Sequence, residues 1–248
     1  MALQLYTVRE ELAKDFIGTV KRVAEMGYPA VELAGTGGLS AGELRKLLDD
    51  LGLEVYGTHL GFDQMLNNLQ EQIDFNQALG NRFLICPGLP EERRRDAAAY
   101  AQTAALYDEI GARARGQGMV IGHHNHDSEF RTPGGKAGMD ILIENTAPEH
   151  FGAELDVFWA QYAGVDPTAY IRKYPGRFPL LHIKDMAPGP ERAFTEVGEG
   201  IVDFAAIFAA AEEVGGTQCY IVEQDVCARP CLESARISLE HLKQWGKL

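Results

Sequence analysis

The chain is short of cysteine, of positive charge and of long apolar runs, and each shortage narrows its function. Four cysteines, Cys86, Cys219, Cys227 and Cys231, are spread over 248 residues. A chain of this length does not need disulfide staples, so reduced thiols and a cytoplasmic setting are expected. Cys227 and Cys231 form a C-x3-C pair without a second such pair, which favours two unrelated thiols over a zinc site. Lys and Arg number 23 against 36 Asp and Glu, a net charge of −13. Such a surface repels phosphate backbones, so no nucleic-acid partner is expected. No apolar run approaches the ~18 residues of a membrane span, so no membrane partner is expected either. MALQLYTVREE lacks the basic segment and apolar stretch of a signal peptide. A Gly-rich phosphate loop is also missing after the first strand, where the chain reads YTVRE.

Apolar residues, at 46%, are enough to fill a sizeable core. Short apolar runs alternate with longer helical patterns throughout. Strands are expected over Ala2–Tyr6, Pro29–Leu33, Leu53–Thr58, Arg82–Cys86, Met119–His124, Phe151–Asp156, Phe178–Ile183 and Gln218–Glu223. Helices are expected over Phe16–Met26, Ala41–Leu51, Gln64–Leu79, Glu91–Arg115 with a break near Gly111, Asp140–Thr146, from Asp166-Pro167 to Tyr174, Asp203–Val214 and Leu232–Trp245. Glycines stop several of these helices, and Pro167 suits a first helical position. Eight strand-then-helix units without a linker imply parallel strands with right-handed crossovers. At this length they point to an α/β fold, a single (β/α)8 barrel over residues 1–248.

Barrel chemistry sits at the C-terminal strand ends, and the ionisable residues collect there. The densest stretch is Val120–Phe130, VIGHHNHDSEF. His124 and His126 are two apart, so on an extended chain they point the same way. Glu32, His59, Asp156, His182, Lys184, Glu223 and Asp225 lie at or just past other strand ends. His124, Asp156, His182 and Glu223 stand on strands five to eight. Neighbouring strands lie ~5 Å apart, so the four could converge on one divalent ion. Two imidazoles and two carboxylates suit Mn, Co, Zn or Fe(II). Lys184 is a candidate to stabilise an oxyanion, with a salt bridge to Asp185 as the alternative. His59 and Trp159, the latter in a loop past Asp156, are candidate sugar contacts. Glu32 would bind hydroxyls or cap the next helix, and Tyr6 would alternate with Gln4 on strand one to line the floor. Gly198-Glu199-Gly200 reads as a turn rather than a phosphate loop.

LQLYTVR, GYPAVELAG, GTHLGF, GHHNHDSEF, ELDVFWAQYAGVDP, LLHIKD, GEGIVDF and YIVEQD follow one another in order. In these motifs the chain resembles the xylose isomerase-like TIM barrels, the sugar phosphate isomerase/epimerase group that also includes endonuclease IV. The resemblance implies one divalent metal held by Glu, Asp, His and Glu from strands five to eight. Asp156, His182 and Glu223 match the last three. His124-Asn125-His126 stands where many members carry Glu-Asn-His, so the first ligand departs from the pattern, and Glu129 is a loop carboxylate that could replace it. His126 matches a histidine that moves protons in related dehydratases and lyases. The implied chemistry is proton abstraction beside a carbonyl, with His126 as first-choice base and Glu223 as second. A sugar isomerase or epimerase is therefore expected, acting on a small carbohydrate. A dehydratase or lyase acting on a keto-sugar, inosose or 3-keto-glycoside is the alternative. Endonuclease IV-like DNA repair and non-catalytic sugar binding rank lower. Homodimers or homotetramers are the assemblies the resemblance implies.

Overall fold

A computed structural model describes residues 1–131 and 135–248. Eight parallel strands close a barrel: β1 Ala2–Gln4, β2 Ala30–Leu33, β3 Glu54–His59, β4 Phe83–Cys86, β5 Val120–His124, β6 Phe151–Asp156, β7 Leu180–Ile183 and β8 Cys219–Val222. Each strand pairs with its sequence neighbours, and β8 closes onto β1 through Ala2 opposite Ile221. β2, β4, β6 and β7 are buried along their whole length. Both of their faces are covered, as parallel sheets require.

Local chemistry sets the helix ends. Asp15 accepts the Gly18 N–H to open Phe16–Met26, and Gly27 ends that helix at φ 98°. Ser40 and Glu43 form a capping box at Ala41–Leu51. Asp166 caps Pro167–Lys173, with the proline in the first turn.

Four expectations change. The first strand ends at Gln4, and Leu5–Val8 is a 3-10 turn. The expected 64–79 helix is two, Phe62–Asn67 and Leu69–Ala78. The long helix breaks before Asp96, whose side chain caps Ala97–Arg115 through the Ala99 N–H. Gly111 stays helical, because a Cβ there would meet the His150 carbonyl at 2.1 Å; the glycine serves close packing. Trp159 lies in a helix, Val157–Tyr162, capped by Asp156, instead of a loop. A short antiparallel ribbon, Asp185–Met186 with Phe194–Thr195, follows β7 and has no counterpart among the expected elements.

The barrel interior is layered. Ala2, Ala30, Leu180 and Ile221 form a buried apolar plug with Phe83, Ile85 and Cys219. Two residues on along the same strands stand Gln4, Glu32, His182 and Glu223. Residues two apart on a strand share a face, so the plug is followed directly by a polar layer facing the mouth. The β2–β3 register shifts between Val31 and Glu32. Gly57 stands opposite Glu32, and a Cβ there would lie 2.1 Å from Glu32 Oε1, so the glycine makes room for the carboxylate.

Candidate active site

Register brings the ionisable residues together: His124 pairs with Glu154, Asp156 with His182, and His182 with Ile221, two residues before Glu223. His124, Asp156, His182 and Glu223 each offer one ligand atom, all within 4.8 Å of one another. His124 Nε2 is 3.6 Å from Asp156 Oδ2, and His182 Nδ1 is 2.9 Å from Glu223 Oε2. All four are buried. Asp156 divides its oxygens: Oδ1 accepts the Trp159 N–H, while Oδ2 has no hydrogen-bond partner and faces His124 and, at 3.0 Å, the Lys184 ammonium. Asn125 locks the two strand ends, accepting the Asp156 N–H and donating to the Asp156 carbonyl.

Lys184 is buried and meets three carboxylates: Glu223 at 2.7 Å, Asp225 at 2.8 Å and Asp156 at 3.0 Å. Burial opposes its charge, but those carboxylates hold its pKa well above the usual lysine value. Its partners do not include Asp185, whose carboxylate instead accepts N–H groups from Met186, Gly198, Gly200 and Val202. Gly198-Glu199-Gly200 is thus a turn wrapped around Asp185.

Below this cluster lies a second group that sequence reasoning did not assemble. Glu154 Oε2 lies 2.9 Å from His59 Nε2, 3.0 Å from His124 Nδ1 and 3.1 Å from His182 Nε2. Glu32 Oε2 lies 2.6 Å from His182 Nε2 and accepts from Gln4 Nε2 at 2.8 Å. Glu32 is fully buried and does not line the mouth cavity, and it is Ser40 that caps the next helix. His59 lines the cavity while its Nε2 is held by Glu154. Glu154 went unread because FGAELD looks like an apolar strand; its spacing of two from Asp156 was the available signal.

Glu129 does not join either cluster. The turn Asp127–Phe130 folds it back onto its own strand end, where it accepts the His126 N–H and faces His123 at 3.8 Å. Tyr6, carried by the 3-10 turn rather than a strand, is 44% exposed and lines the mouth instead of the floor. Trp159 packs beside His126, with ring centres 5.5 Å apart.

The mouth is a cavity of about 540 Å³ lined by Tyr6, His59, His124, His126, Lys184 and Glu223 among others. A cavity of about 530 Å³ at the opposite end of the barrel, around Tyr56 and Arg82, holds none of this cluster. Four buried carboxylates, Glu32, Glu154, Asp156 and Glu223, face two buried cationic groups, the Lys184 ammonium and the His182 ring. Such a surplus is costly unless a cation offsets it, and the donor set fits a divalent ion. Burial, with the Lys184 charge against it, holds the His126 pKa below the usual imidazole value. Burial and charged His182 hold that of His124 well below it. Both rings are thereby kept neutral. Burial pushes Asp156 up to about 6, against the pull of Lys184 and His182. His182 is also buried, yet Glu154 and Glu32 raise it well above its ordinary value.

The outer pair gives a stability prediction. Burial disfavours charge on both, yet His123 is raised from 6.5 to about 9 by the neighbouring Cys86 and Glu129. Glu129 is lowered from 4.5 to about 2 by His123 and the His126 N–H. At 3.8 Å, with His123 Nε2 lacking a hydrogen-bond partner, their link is an ion pair. A raised histidine contributes fully below 6.5 and loses its contribution as pH rises through 9. A depressed carboxylate contributes fully above 4.5 and loses its contribution as pH falls through 2. Glu129→Gln is therefore expected to lower the melting temperature most between pH 4.5 and 6.5, the difference shrinking toward pH 9. Melting curves across pH check this.

A closed (β/α)8 barrel with a histidine–carboxylate cluster at its C-terminal mouth defines the class of protein. Residues 20–245 match the family described as xylose isomerase-like TIM barrel, and the chain belongs to it. An inosose dehydratase of Geobacillus kaustophilus (strain HTA426) is 22% identical over 244 residues, covering 83% of this chain and 79% of that protein. The crystal structure of a sugar phosphate isomerase/epimerase from Parabacteroides distasonis ATCC 8503 superposes with a TM-score of 0.83 at 27% identity, over 98% of this chain and 93% of that one. The IOLI protein, whose structure carries a bound zinc atom, shares the fold with a TM-score of 0.77 at 13% identity, over 99% and 98% of the two chains.

Proposed function

We propose that this chain is a divalent-metal-dependent enzyme that removes a proton beside the carbonyl of an unphosphorylated sugar or inosose and then eliminates water. The convergence of His124, Asp156, His182 and Glu223 at the mouth carries this reading. A bound ion would supply Lewis acidity to the carbonyl oxygen and a neighbouring hydroxyl; zinc in the IOLI neighbour supports this cofactor. His126, partly buried and kept neutral, accepts the carbon-bound proton. As that C–H bond breaks, a C=C bond forms and the C–O bond to the β-hydroxyl breaks. Lys184 Nζ faces the same cavity, where its ammonium, anchored by Asp225, stabilises the developing oxyanion. His126 returns that proton to the departing hydroxyl, which leaves as water.

Elimination is favoured over isomerisation for two reasons. The similar Geobacillus protein is named inosose dehydratase. Glu223, the second-choice base, is also engaged by both His182 and Lys184, which leaves His126 as the free acceptor at the mouth. The isomerase or epimerase reading draws on the Parabacteroides neighbour and needs only that the same carbon be reprotonated.

Asp185 supports an unphosphorylated substrate. Barrel enzymes often hold phosphate with backbone N–H groups after strands seven and eight. Here the Gly198, Gly200 and Val202 N–H groups donate to the Asp185 carboxylate. Metal analysis, followed by incubation with inososes, ketoses and their phosphate esters in D2O, tests the proposal. Deuterium uptake next to the carbonyl and loss of water are expected with free substrates and not with esters. Stoichiometric metal without exchange on any sugar would reduce the chain to a binding protein.

A further inference from the structure

The two histidines of the candidate metal set turn opposite edges to it. His124 faces Asp156 with Nε2, while its Nδ1 lies 3.0 Å from Glu154. His182 faces Glu223 with Nδ1, while its Nε2 lies 2.6 Å from Glu32 and 3.1 Å from Glu154. Both rear carboxylates are fully buried. We propose that Glu154, assisted by Glu32, is a positioning residue that fixes the tautomers of both imidazoles and so presents a lone pair from each to the ion. This rests on the metal reading above.

Proton accounting supports it. A neutral imidazole carries one N–H, and an N–H pointed at a buried carboxylate leaves the other nitrogen bare. In the ion-loaded chain, where a metal-binding ring carries no second proton, His124 protonated at Nδ1 and His182 at Nε2 give each rear carboxylate a donor. The bare nitrogens are then the ones that face Asp156 and Glu223. Carboxylates placed behind metal-binding histidines act this way, also making the ring a stronger donor to the metal.

The rear atoms could themselves be read as a second cation site, since His59, His124, Glu154 and His182 also gather within 4.8 Å. Filling both groups would strip both ring protons from His124 and His182, because those rings belong to both. A hydrogen-bonded floor needs no such step.

The test uses the full chain loaded with Zn2+ and 15N-labelled at histidine. NMR should find His124 protonated at Nδ1 and His182 at Nε2; the reverse tautomer at either ring would overturn the proposal without any variant. Glu154→Gln should weaken Zn2+ binding about 10–100-fold by calorimetry, with the His124 tautomer becoming mixed, whereas Glu32→Gln should perturb His182. Equal affinity in wild type and E154Q would overturn this proposal alone. Two ions per wild-type chain, one lost in E154Q, would make Glu154 a ligand and overturn it as well. A wild-type chain taking up no ion would bring down the metal reading and this inference together.

Discussion

Replacing His182 with alanine is expected to abolish metal uptake and activity and to lower stability by about 3–5 kcal/mol, the range for breaking a buried charge pair. His182 is the hub of the site. It touches Glu223 through Nδ1 and Glu32 and Glu154 through Nε2, and all four residues are buried. Without the ring, three carboxylates lose their common partner, and Lys184 remains the nearest cation to Glu223 alone among them. Excess divalent ion should not restore binding, because one of two nitrogen donors is missing. Metal content after dialysis, read beside denaturant unfolding, checks both parts. A variant that keeps stoichiometric metal would remove His182 from the ligand set.

The second large effect is a contrast with the first. His126→Ala should retain metal and fold but slow solvent exchange by about 10²–10⁴, the range for losing a positioned acid or base. His126 lines the cavity beside Trp159, with its ring centre 5.0 Å from that of His124, yet it belongs to neither ligand group. Its backbone N–H is held by Glu129, so the main chain stays in place when the ring is removed. Deuterium exchange at saturating metal measures the loss. Retained exchange with intact metal would assign the base elsewhere, with Glu223 next in line.

The barrel was legible because its signals are local. Phe16–Met26, Ala41–Leu51 and Phe151–Asp156 run over the spans the sequence suggests, each bounded by a cap, a glycine or a run of buried residues. The misread elements depend on short-range side-chain competition. Asp96 and Asp156 each start a helix by capping it, and Asp156 does so with one oxygen while the other faces the metal set. The upper cluster was readable from strand-end positions, since parallel register converts chain order into proximity. The lower one was not, because it depends on contacts across the barrel. Glu32 of β2 reaches His182 of β7, and Glu154 of β6 reaches His59 of β3. No spacing along the chain encodes those pairs. Glu129 was misplaced for the opposite reason: its sequence distance from His126 suits a ligand, but a 3-10 turn returns it to its own backbone.

Anomalous diffraction from crystals soaked in Mn2+ tests the centre of this account. One strong peak is predicted at the barrel mouth, at bonding distance of roughly 2.0–2.3 Å from His124 Nε2, His182 Nδ1 and a carboxylate oxygen each of Asp156 and Glu223. A peak among His59, Glu154 and Glu32 instead, or Lys184 still seated between Asp156 and Glu223 with no peak at all, would contradict it.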